Sequence, residues 1–299
     1  MKFQKPNPFS LVLLSLLVAS QPVLAQKSDA KAARLPLWKI EGKTNSVYLL
    51  GSVHILSETN YPLAAPIESA FKSAQVVAFE TDVGAMSEVS TQMKLLSKAQ
   101  LPEGETLKDQ LSAETYAALM KQAEQSGLPE AMLTKFKPMM AAVTVLSVDL
   151  MKMGLNPEHG VDQHFHKRAK EDGKKIVPLE TVDFQIDLLT GLTKEEGELI
   201  VKSMLKDMAN TRKAFDDIIN AWKTGDAKAL DKLLNEATAE SPAVMKRLLT
   251  DRNENWMPKI QEMINSGKSG IVIVGAAHLV GDKGVVELLK KKGLKVTQL

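Results

Sequence analysis

Four short motifs, each directly after an apolar run, carry the residues that could do chemistry. A Gly-x-x-His motif occupies residues 51–54 and recurs at 275–278, ending in His54 and His278. A Glu-Thr pair follows each of two other apolar runs and begins with Glu80 and Glu180. The chain has five histidines, and two of them hold equivalent positions in the repeated motif. This repetition favours a functional site over isolated structural residues.

The two imidazoles and two carboxylates are expected to meet at one edge of a sheet. The apolar runs are typical of buried parallel strands, and open α/β sheets bind ligands beyond the carboxyl ends of such strands. Glycine after a strand lets the backbone turn tightly, so the histidine three residues later can point back across that edge. Imidazole and carboxylate groups together indicate a divalent metal site or acid–base catalysis. The alternative is structural duplication without chemistry.

Strands must alternate with helices to position these motifs. Strands are predicted at 47–50, 76–79, 176–179 and 271–274, with a weaker strand at 37–40 that pairs with the first through a hairpin at 42–45, and a last strand at 295–298. Helices, several with a proline or a Ser/Asp cap at the start and a glycine at the end, are predicted at 66–74, 113–125, 138–151, 161–172, 242–264 and 285–292. This alternation predicts a layered α/β fold.

The segment 35–299 is predicted to be one α/β domain. The length of 299 residues allows one large or two small domains. Two blocks, at about 86–155 and 188–264, contain predicted helices but no convincing strand. We therefore interpret both as helical insertions on a single sheet, where they could form a cap over the site.

The amino terminus has the pattern of an export signal. Lys2 and Lys5 precede an apolar run at 11–19, and a small-residue cleavage site ends at Ala25. The run is shorter than the roughly 20 apolar residues that span a bilayer. Residues 1–25 are therefore predicted to be a Sec-type signal peptide and residues 26–34 a flexible leader. We expect a periplasmic or secreted protein with no membrane span after cleavage.

Composition excludes several classes of protein. Without Lys2 and Lys5 the chain carries 36 basic and 36 acidic side chains, which gives no basic surplus for nucleic acid or an anionic membrane surface. The chain has no cysteine. Disulfides, thiol nucleophiles and cysteine-ligated zinc or iron–sulfur sites are therefore excluded.

Several motifs, taken in order from about residue 37 to residue 299, resemble those of the TraB/PrgY/GumN family. They are the two Gly-x-x-His motifs, the strand ends at Glu80 and Glu180, Gly160-Val161-Asp162, and Arg252-Asn253 with Trp256. The resemblance implies a mixed, mainly parallel central sheet flanked by helices, with helical insertions, similar to erythromycin-esterase and ChaN-like proteins. It also implies a relation to the TIKI proteins, described as metal-dependent peptidases with two Gly-x-x-His motifs and a glutamate.

The resemblance implies roles for individual residues. His54 and His278 would be metal ligands, and Glu80 would be a further ligand or the base that activates bound water. Glu180 would be a general base, a partner that orients a histidine, or a strand-end cap. Manganese or cobalt is the favoured metal, with zinc and iron as alternatives.

Two other residue pairs have two interpretations each. Arg252 and Asn253 lie in a predicted amphipathic helix, where a solvated face is the simple interpretation, but the family match favours contact with substrate or a carboxylate. Asp162 and His166 share a helix face at a spacing that metal ligands use. We interpret Gly160-Val161-Asp162 as the start of a helix in preference to a second metal site.

We therefore expect an exported, divalent-metal-dependent hydrolase that acts on a peptide or protein. Metal-activated water would make a nucleophilic side chain unnecessary. The rival hypothesis is a non-catalytic periplasmic binding protein that captures a peptide signal or haem in the same cleft. Esterase chemistry is a third possibility.

Overall fold

The computed structural model describes residues 34–42, 44–208, 211–238 and 242–299. The predicted signal peptide, residues 1–25, and residues 26–33 of the predicted leader lie outside the described residues. Among the described residues, no helix combines the length and the apolar character that crossing a bilayer requires.

One sheet of six strands forms the centre of the described fold. The strands are β1 (Leu37–Glu41), β2 (Ser46–Ser52), β3 (Val76–Phe79), β4 (Lys175–Pro178), β5 (Gly270–Gly275) and β6 (Val296–Gln298). Their order across the sheet is β4-β3-β5-β2-β1-β6. Neighbouring strands from β4 to β2 are parallel, whereas β1 is antiparallel to both β2 and β6. The predictions of a mixed, mainly parallel sheet and of a hairpin between the first two strands are confirmed.

Helices connect the strands and flank the sheet. In the described residues they are α1 (Ala65–Ser73), α2 (Val83–Met86), α3 (Val89–Ala99), α4 (Leu107–Gln110), α5 (Ala113–Gln125), α6 (Glu130–Leu133), α7 (Pro138–Lys152), α8 (Val161–Glu171), α9 (Val182–Thr190), α10 (Lys194–Met208), α11 (Thr211–Lys223), α12 (Ala227–Thr238), α13 (Pro242–Met245), α14 (Asp251–Asn265) and α15 (Val285–Lys291).

Both faces of the sheet are buried. Along β5, Ile271 and Ile273 belong to one apolar cluster with α1, α8 and α11, whereas Val272 and Val274 belong to another with α14 and α15. Side chains alternate between the two faces of a strand, so helices must cover each face. Such two-sided burial explains why the parallel strands read as continuous apolar runs in the sequence.

A third apolar cluster contains no strand residue. It joins α5 and α7, from the first segment predicted as an insertion, to α9, α10 and α13 of the second. Buried residues from the two segments therefore pack against one another. The division of the chain into one domain with two insertions stays a prediction.

The helix predicted at 242–264 is not one uniform α-helix. A π-helical turn, Lys246–Thr250, separates α13 from α14. The apolar spacing of a sequence does not reveal an extra backbone residue within a turn. Turns of this kind occur often at functional sites, and this one ends two residues before Arg252.

Candidate functional site

The four residues of the repeated motifs meet at one edge of the sheet, as predicted. His54 follows β2, Glu80 follows β3, Glu180 follows β4 and His278 follows β5. These four strands are neighbours and run parallel, so their carboxyl ends lie side by side. Phe79 pairs with both Ile273 and Pro178, which places the ends of the three strands in register.

The carboxylate of Glu80 occupies the centre of this edge. Its Oε1 atom lies 3.8 Å from Nε2 of His54 and 3.8 Å from Nε2 of His278. The same oxygen accepts a hydrogen bond of 2.8 Å from the backbone N–H of Gly275. Glu80 is only 7% exposed, so these contacts are shielded from water. Two ring nitrogens thus converge on one buried carboxylate oxygen.

Each histidine has an oxygen atom beside its other ring nitrogen. Nδ1 of His278 lies 2.6 Å from Oδ1 of Asn253, and Asn253 Nδ2 donates to the carbonyl of Lys283. Nδ1 of His54 lies 2.8 Å from Oδ1 of Asp162 in an ion pair. A proton on Nδ1 of His278 would be donated to Asn253, and a proton on Nδ1 of His54 would face Asp162, which leaves each Nε2 facing Glu80.

Glycine is required where α8 meets the end of β2. The backbone N–H of Val161 donates to the carbonyl of Val53, which joins the two segments. A Cβ on Gly160 would lie 2.4 Å from the carbonyl oxygen of His54, a distance that excludes any side chain. This close approach brings Asp162 to the His54 ring, and it explains the Gly-Val-Asp motif physically.

A buried arginine joins the two glutamates. Arg252 is 0% exposed, and its Nη2 atom lies 2.5 Å from Glu80 Oε2 and 2.6 Å from Glu180 Oε1. Its Nη1 atom donates to the carbonyl of Leu248 and lies 3.1 Å from Nε2 of His278. A guanidinium between two carboxylates balances charges that would otherwise be unfavourable in a buried site.

Glu180 accepts several hydrogen bonds behind this centre. Arg252 Nε lies 3.1 Å from each of its oxygens, Trp256 Nε1 donates to it at 2.8 Å, and Gln185 Nε2 donates at 2.8 Å. These donors come from α14 and α9. The contacts make Glu180 the anchor of Arg252, while its predicted role in catalysis stays a prediction.

The surrounding charges shift the pKa values at the site. Burial lowers the pKa of His54, but Asp162 and Glu80 outweigh burial and raise it to about 9. Burial lowers the pKa of His278 to about 3, and Arg252 adds to that effect against the opposite influence of Glu80. Burial disfavours the anion of Glu80, but Arg252 and the two histidines hold its pKa well below the ordinary value. At neutral pH, Glu80 is therefore an anion and His278 a neutral ring.

A cleft of about 80 Å³ opens onto the site. Its walls include His54, Glu80 and Asp162 of the centre, and Gln185. Arg252 and Asn253 do not line this cleft, and both are almost fully buried. Their predicted contact with substrate stays a prediction, whereas their contacts with Glu80 and His278 are direct.

The donor set suits a divalent metal. Nε2 of His54 is buried and has no hydrogen-bond partner among the described residues, as expected for a ligand atom. Among those residues, no three His, Asp or Glu side chains already stand at ligand spacing. Donors around a tetrahedral ion lie roughly 3.4 Å apart, so the 3.8 Å separations would have to shorten for an ion to bind here. Two imidazole nitrogens and one carboxylate are donors of the type that such an ion takes, and an oxygen atom faces the other nitrogen of each ring.

Gly160-Val161-Asp162 starts helix α8, as predicted, and the side chains of Asp162 and His166 have different partners. Asp162 faces His54, whereas His166 packs edge-on against Phe79, with ring centroids 5.5 Å apart. Gln185 was not singled out, although it contacts both glutamates, at 3.5 Å from Glu80 and 2.8 Å from Glu180. The one available signal was its position one turn into the helix that begins after Glu180-Thr181.

The fold and the site define an α/β protein with a histidine–carboxylate centre at the carboxyl edge of its sheet. The chain belongs to the TraB/PrgY/gumN family, whose model matches residues 36–298. It is similar to the uncharacterized protein YbaP of Escherichia coli (strain K12), with 25% identity over 243 residues, 81% of this chain and 87% of the relative. YbaP of Shigella flexneri matches equally.

A more distant relative covers a similar share of the chain. An uncharacterized protein of Treponema pallidum (strain Nichols) is 19% identical over 269 residues, which are 86% of this chain and 80% of the relative. No solved structure matches the chain significantly.

Proposed function

We propose that this protein is an exported, divalent-metal-dependent hydrolase that cleaves peptide bonds. One observation carries the proposal: Nε2 of His54 and Nε2 of His278 lie at the same distance, 3.8 Å, from Oε1 of Glu80. Buried histidines that serve structure alone usually satisfy both ring nitrogens within the protein. Here His54 keeps one nitrogen unpaired beside a carboxylate, on the wall of a cleft.

His54, His278 and Glu80 would hold the metal. Manganese and cobalt are the favoured ions, with zinc or iron as alternatives, because imidazole and carboxylate ligands accept all four. When bound, such an ion acts as a Lewis acid that lowers the pKa of water and polarises a carbonyl group. The chain's own residues then have to hold the ligands, balance charge and accept a proton.

Asp162 and Asn253 would keep the histidines in the correct tautomer. Each places an oxygen beside Nδ1, at 2.8 Å for His54 and 2.6 Å for His278. Partners of this kind fix the orientation of the ring and make the opposite nitrogen a better ligand. Ligation at Nε2 would also require His54 to release the proton that its raised pKa retains.

Arg252 would adjust its contacts when His278 becomes a ligand. Nη1 of Arg252 lies 3.1 Å from Nε2 of His278, and this contact would have to break when Nε2 binds a metal. Its bonds to Glu80, Glu180 and the carbonyl of Leu248 can remain. Glu180 would hold the guanidinium in place, as a positioning residue for Arg252.

Asp162 is the carboxylate best placed to accept a proton in the cleft. Its side chain is 17% exposed, and it lines the cleft beside His54. The oxygens of Glu180 already receive donors from Arg252, Trp256 and Gln185. A general base needs a free lone pair directed at the reacting water, and this role would fall to the oxygen of Asp162 that does not contact Nδ1 of His54.

Cleavage of peptides by the metal-loaded protein tests this proposal. The protein, purified from cells that express the full chain, is loaded in turn with Mn²⁺, Co²⁺, Zn²⁺ or Fe²⁺ and incubated with a mixed peptide library, and products are identified by mass spectrometry. We expect cleavage that is lost in Glu80→Gln and His54→Ala and retained in His164→Ala, a histidine outside the cleft wall. Peptides that bind but stay intact under all four metals would favour the rival binding protein.

A haem titration tests the haem version of the rival hypothesis. A Soret band with the wild-type protein would favour that rival, and its absence would exclude haem as the ligand of the cleft. A panel of simple esters, assayed beside the peptides, separates peptidase from esterase chemistry.

Export is tested by the mature amino terminus. We propose that cleavage after Ala25 releases a chain that begins at Gln26, because the pattern of residues 1–25 is that of a Sec signal. Mass spectrometry of the protein from a periplasmic extract should show this terminus. A cytoplasmic protein with an intact Met1 would contradict the proposal.

A further inference from the structure

Unpaired polar atoms are concentrated on the wall of the cleft. In the described part of the chain, six buried side-chain atoms have no hydrogen-bond partner. Four belong to His54, Thr81, Gln92 and Asp162, and all four residues line the cleft; Asp162 Oδ1 has only its ion pair with His54. Folded proteins rarely leave buried polar atoms unpaired. The wall of the cleft therefore offers these polar atoms to water or to a polar ligand.

Gln92 presents an acceptor, and its orientation is fixed. The Nε2 group of Gln92, on α3, donates a hydrogen bond of 2.6 Å to the carbonyl of Met86. Only the amide nitrogen can donate to a carbonyl, so the unpaired end of the side chain is the oxygen Oε1. An amide oxygen accepts hydrogen bonds and cannot donate them. The group that completes it must therefore carry an N–H or O–H.

Thr81 adds a hydroxyl next to the proposed metal ligand. It directly follows Glu80, is 5% exposed, and its Oγ1 atom is one of the four unpaired atoms. A hydroxyl both donates and accepts. An acceptor from Gln92 and a hydroxyl from Thr81 have the hydrogen-bonding types that complement a backbone N–H and a backbone C=O.

The rest of the wall is uncharged. Val83 and Met86 of α2 and Val143 and Ser147 of α7 line it, and Ser147 Oγ is already bonded to the carbonyl of Val143. In the described structure the cleft's ionisable side chains are His54, Glu80 and Asp162, which all belong to the centre. A charged substrate side chain that faces α2 and α7 would find no counter-ion on that part of the wall, which is unfavourable.

We propose that Gln92 and Thr81 form a subsite that binds one peptide unit, whose adjoining side chain is uncharged and apolar, beside the His54–Glu80 centre. Cleavage of a bond beside this subsite rests on the proposed function, whereas binding of the peptide does not. In the bound peptide, Oε1 of Gln92 accepts a backbone N–H, and the side chain contacts the walls from α2 and α7.

Binding of backbone-ester analogues tests the subsite without any metal. The probe is a blocked Ala-Leu-Ala-Leu-Ala peptide, together with analogues that each replace one backbone N–H by an ester oxygen. Their dissociation constants are measured by calorimetry on protein purified from cells that express the full chain. We expect one analogue to bind wild-type protein about tenfold more weakly than the parent, the scale of one lost hydrogen bond. A peptide with Lys in place of Leu should bind more weakly still.

Variants assign that loss to Gln92. The Gln92→Leu variant should bind the parent peptide about tenfold more weakly than wild type does. The ester analogue that binds wild type weakly should bind this variant as tightly as the parent peptide does. Gln100→Leu, an exposed glutamine at the end of the same helix, is the matched control and should behave as wild type. Thr81→Val, a near-isosteric change, provides a second variant if Gln92→Leu loosens α3, and it should also weaken the parent peptide.

The outcomes separate this inference from the proposed reaction. Equal binding of all ester analogues, undiminished discrimination in Gln92→Leu, or no peptide binding at all would overturn the subsite. Discrimination that depends on Gln92, without cleavage in any metal-loaded sample, would uphold the subsite and defeat the hydrolase. Cleavage without such discrimination would uphold the hydrolase and overturn the subsite.

Discussion

Nδ1 of His278 lies 2.6 Å from Oδ1 of Asn253, and this contact determines which ring nitrogen has a free lone pair. The amide of Asn253 cannot rotate freely, because its Nδ2 group donates to the carbonyl of Lys283. Oδ1 must therefore accept the Nδ1 proton of His278. The lone pair on Nε2 then faces Glu80 and Arg252.

Replacement of Asn253 by Leu should weaken metal binding. The His278 ring then loses the partner that holds its tautomer, and losses of this kind reduce metal affinity by about 10–100-fold. Calorimetric titration of the variant with Mn²⁺ measures the change. Asn255→Leu, an exposed position on the same helix, should bind as wild type. Unchanged affinity in Asn253→Leu would show that this contact does not support a ligand.

Replacement of Asp162 by Asn should lower the pKa of His54. In the metal-free protein the carboxylate holds that pKa at about 9 against the effect of burial, so wild-type His54 is charged at neutral pH. Without the carboxylate, burial dominates and the ring should become neutral at pH 7. Proton NMR of the histidine ring signals follows the titration. Asp172→Asn, on the exposed end of α8, should leave the His54 titration curve in place.

Replacement of Arg252 by Met should destabilise the fold strongly. The change leaves Glu80 and Glu180 buried without their cation, and removal of one partner from a buried ion pair costs about 3–5 kcal/mol. Arg247→Met removes a cation that is one-third exposed, and should cost about 0–1 kcal/mol. Urea unfolding of both variants gives the comparison. A loss below about 1 kcal/mol in Arg252→Met would contradict the charge balance described here.

A second change should relieve part of that loss. Glu180→Gln added to Arg252→Met removes one uncompensated carboxylate, so the double variant should be more stable than Arg252→Met alone. A double variant that is less stable than the single one would show that Glu180 contributes mainly through Trp256 and Gln185.

Glu198 should contribute to stability above pH 4.5 and lose that contribution in acid. Burial raises its pKa, but hydrogen bonds from Thr115 and Ser112 outweigh burial and lower it from 4.5 to about 2. The folded state therefore favours the anion. Its stabilisation is complete above the unfolded value of 4.5 and disappears as pH falls through about 2.

Glu198→Gln measures this effect. Because the carboxylate is partly exposed, we expect the variant to lose about 1–2 kcal/mol at pH 7. The difference from wild type in urea unfolding should shrink between pH 4.5 and pH 2. A difference that is constant over this range would mean that the carboxylate charge is not what these hydroxyls stabilise.

The strands could be predicted from sequence because buried parallel strands are continuous apolar runs. β3 has the predicted bounds, and β2, β4 and β5 differ by a residue or two at their ends. The repeated motifs also placed His54, Glu80, Glu180 and His278 at one edge, because each directly follows such a strand.

Contacts between distant segments were the part that sequence could not supply. Asp162 has the local appearance of a helix start, yet it faces His54, 108 residues earlier. Arg252 sits in a helix whose periodicity is compatible with a solvated face, but Glu80 and Glu180 come from two other strand ends and allow a buried cation. Helical periodicity shows which residues share a face, and it does not show what opposes them.

Metal content tests the central claim most directly. Wild-type protein without a histidine tag, the His54→Ala/His278→Ala variant and the His164→Ala control are each incubated with Mn²⁺, Co²⁺, Zn²⁺ or Fe²⁺, dialysed, and analysed by mass spectrometry for bound metal. We predict close to one ion per chain in wild type and control for at least one metal, and almost none in the double variant, which must remain folded by circular dichroism. Absence of metal from wild type under every condition, or equal metal in the folded double variant, would contradict the account.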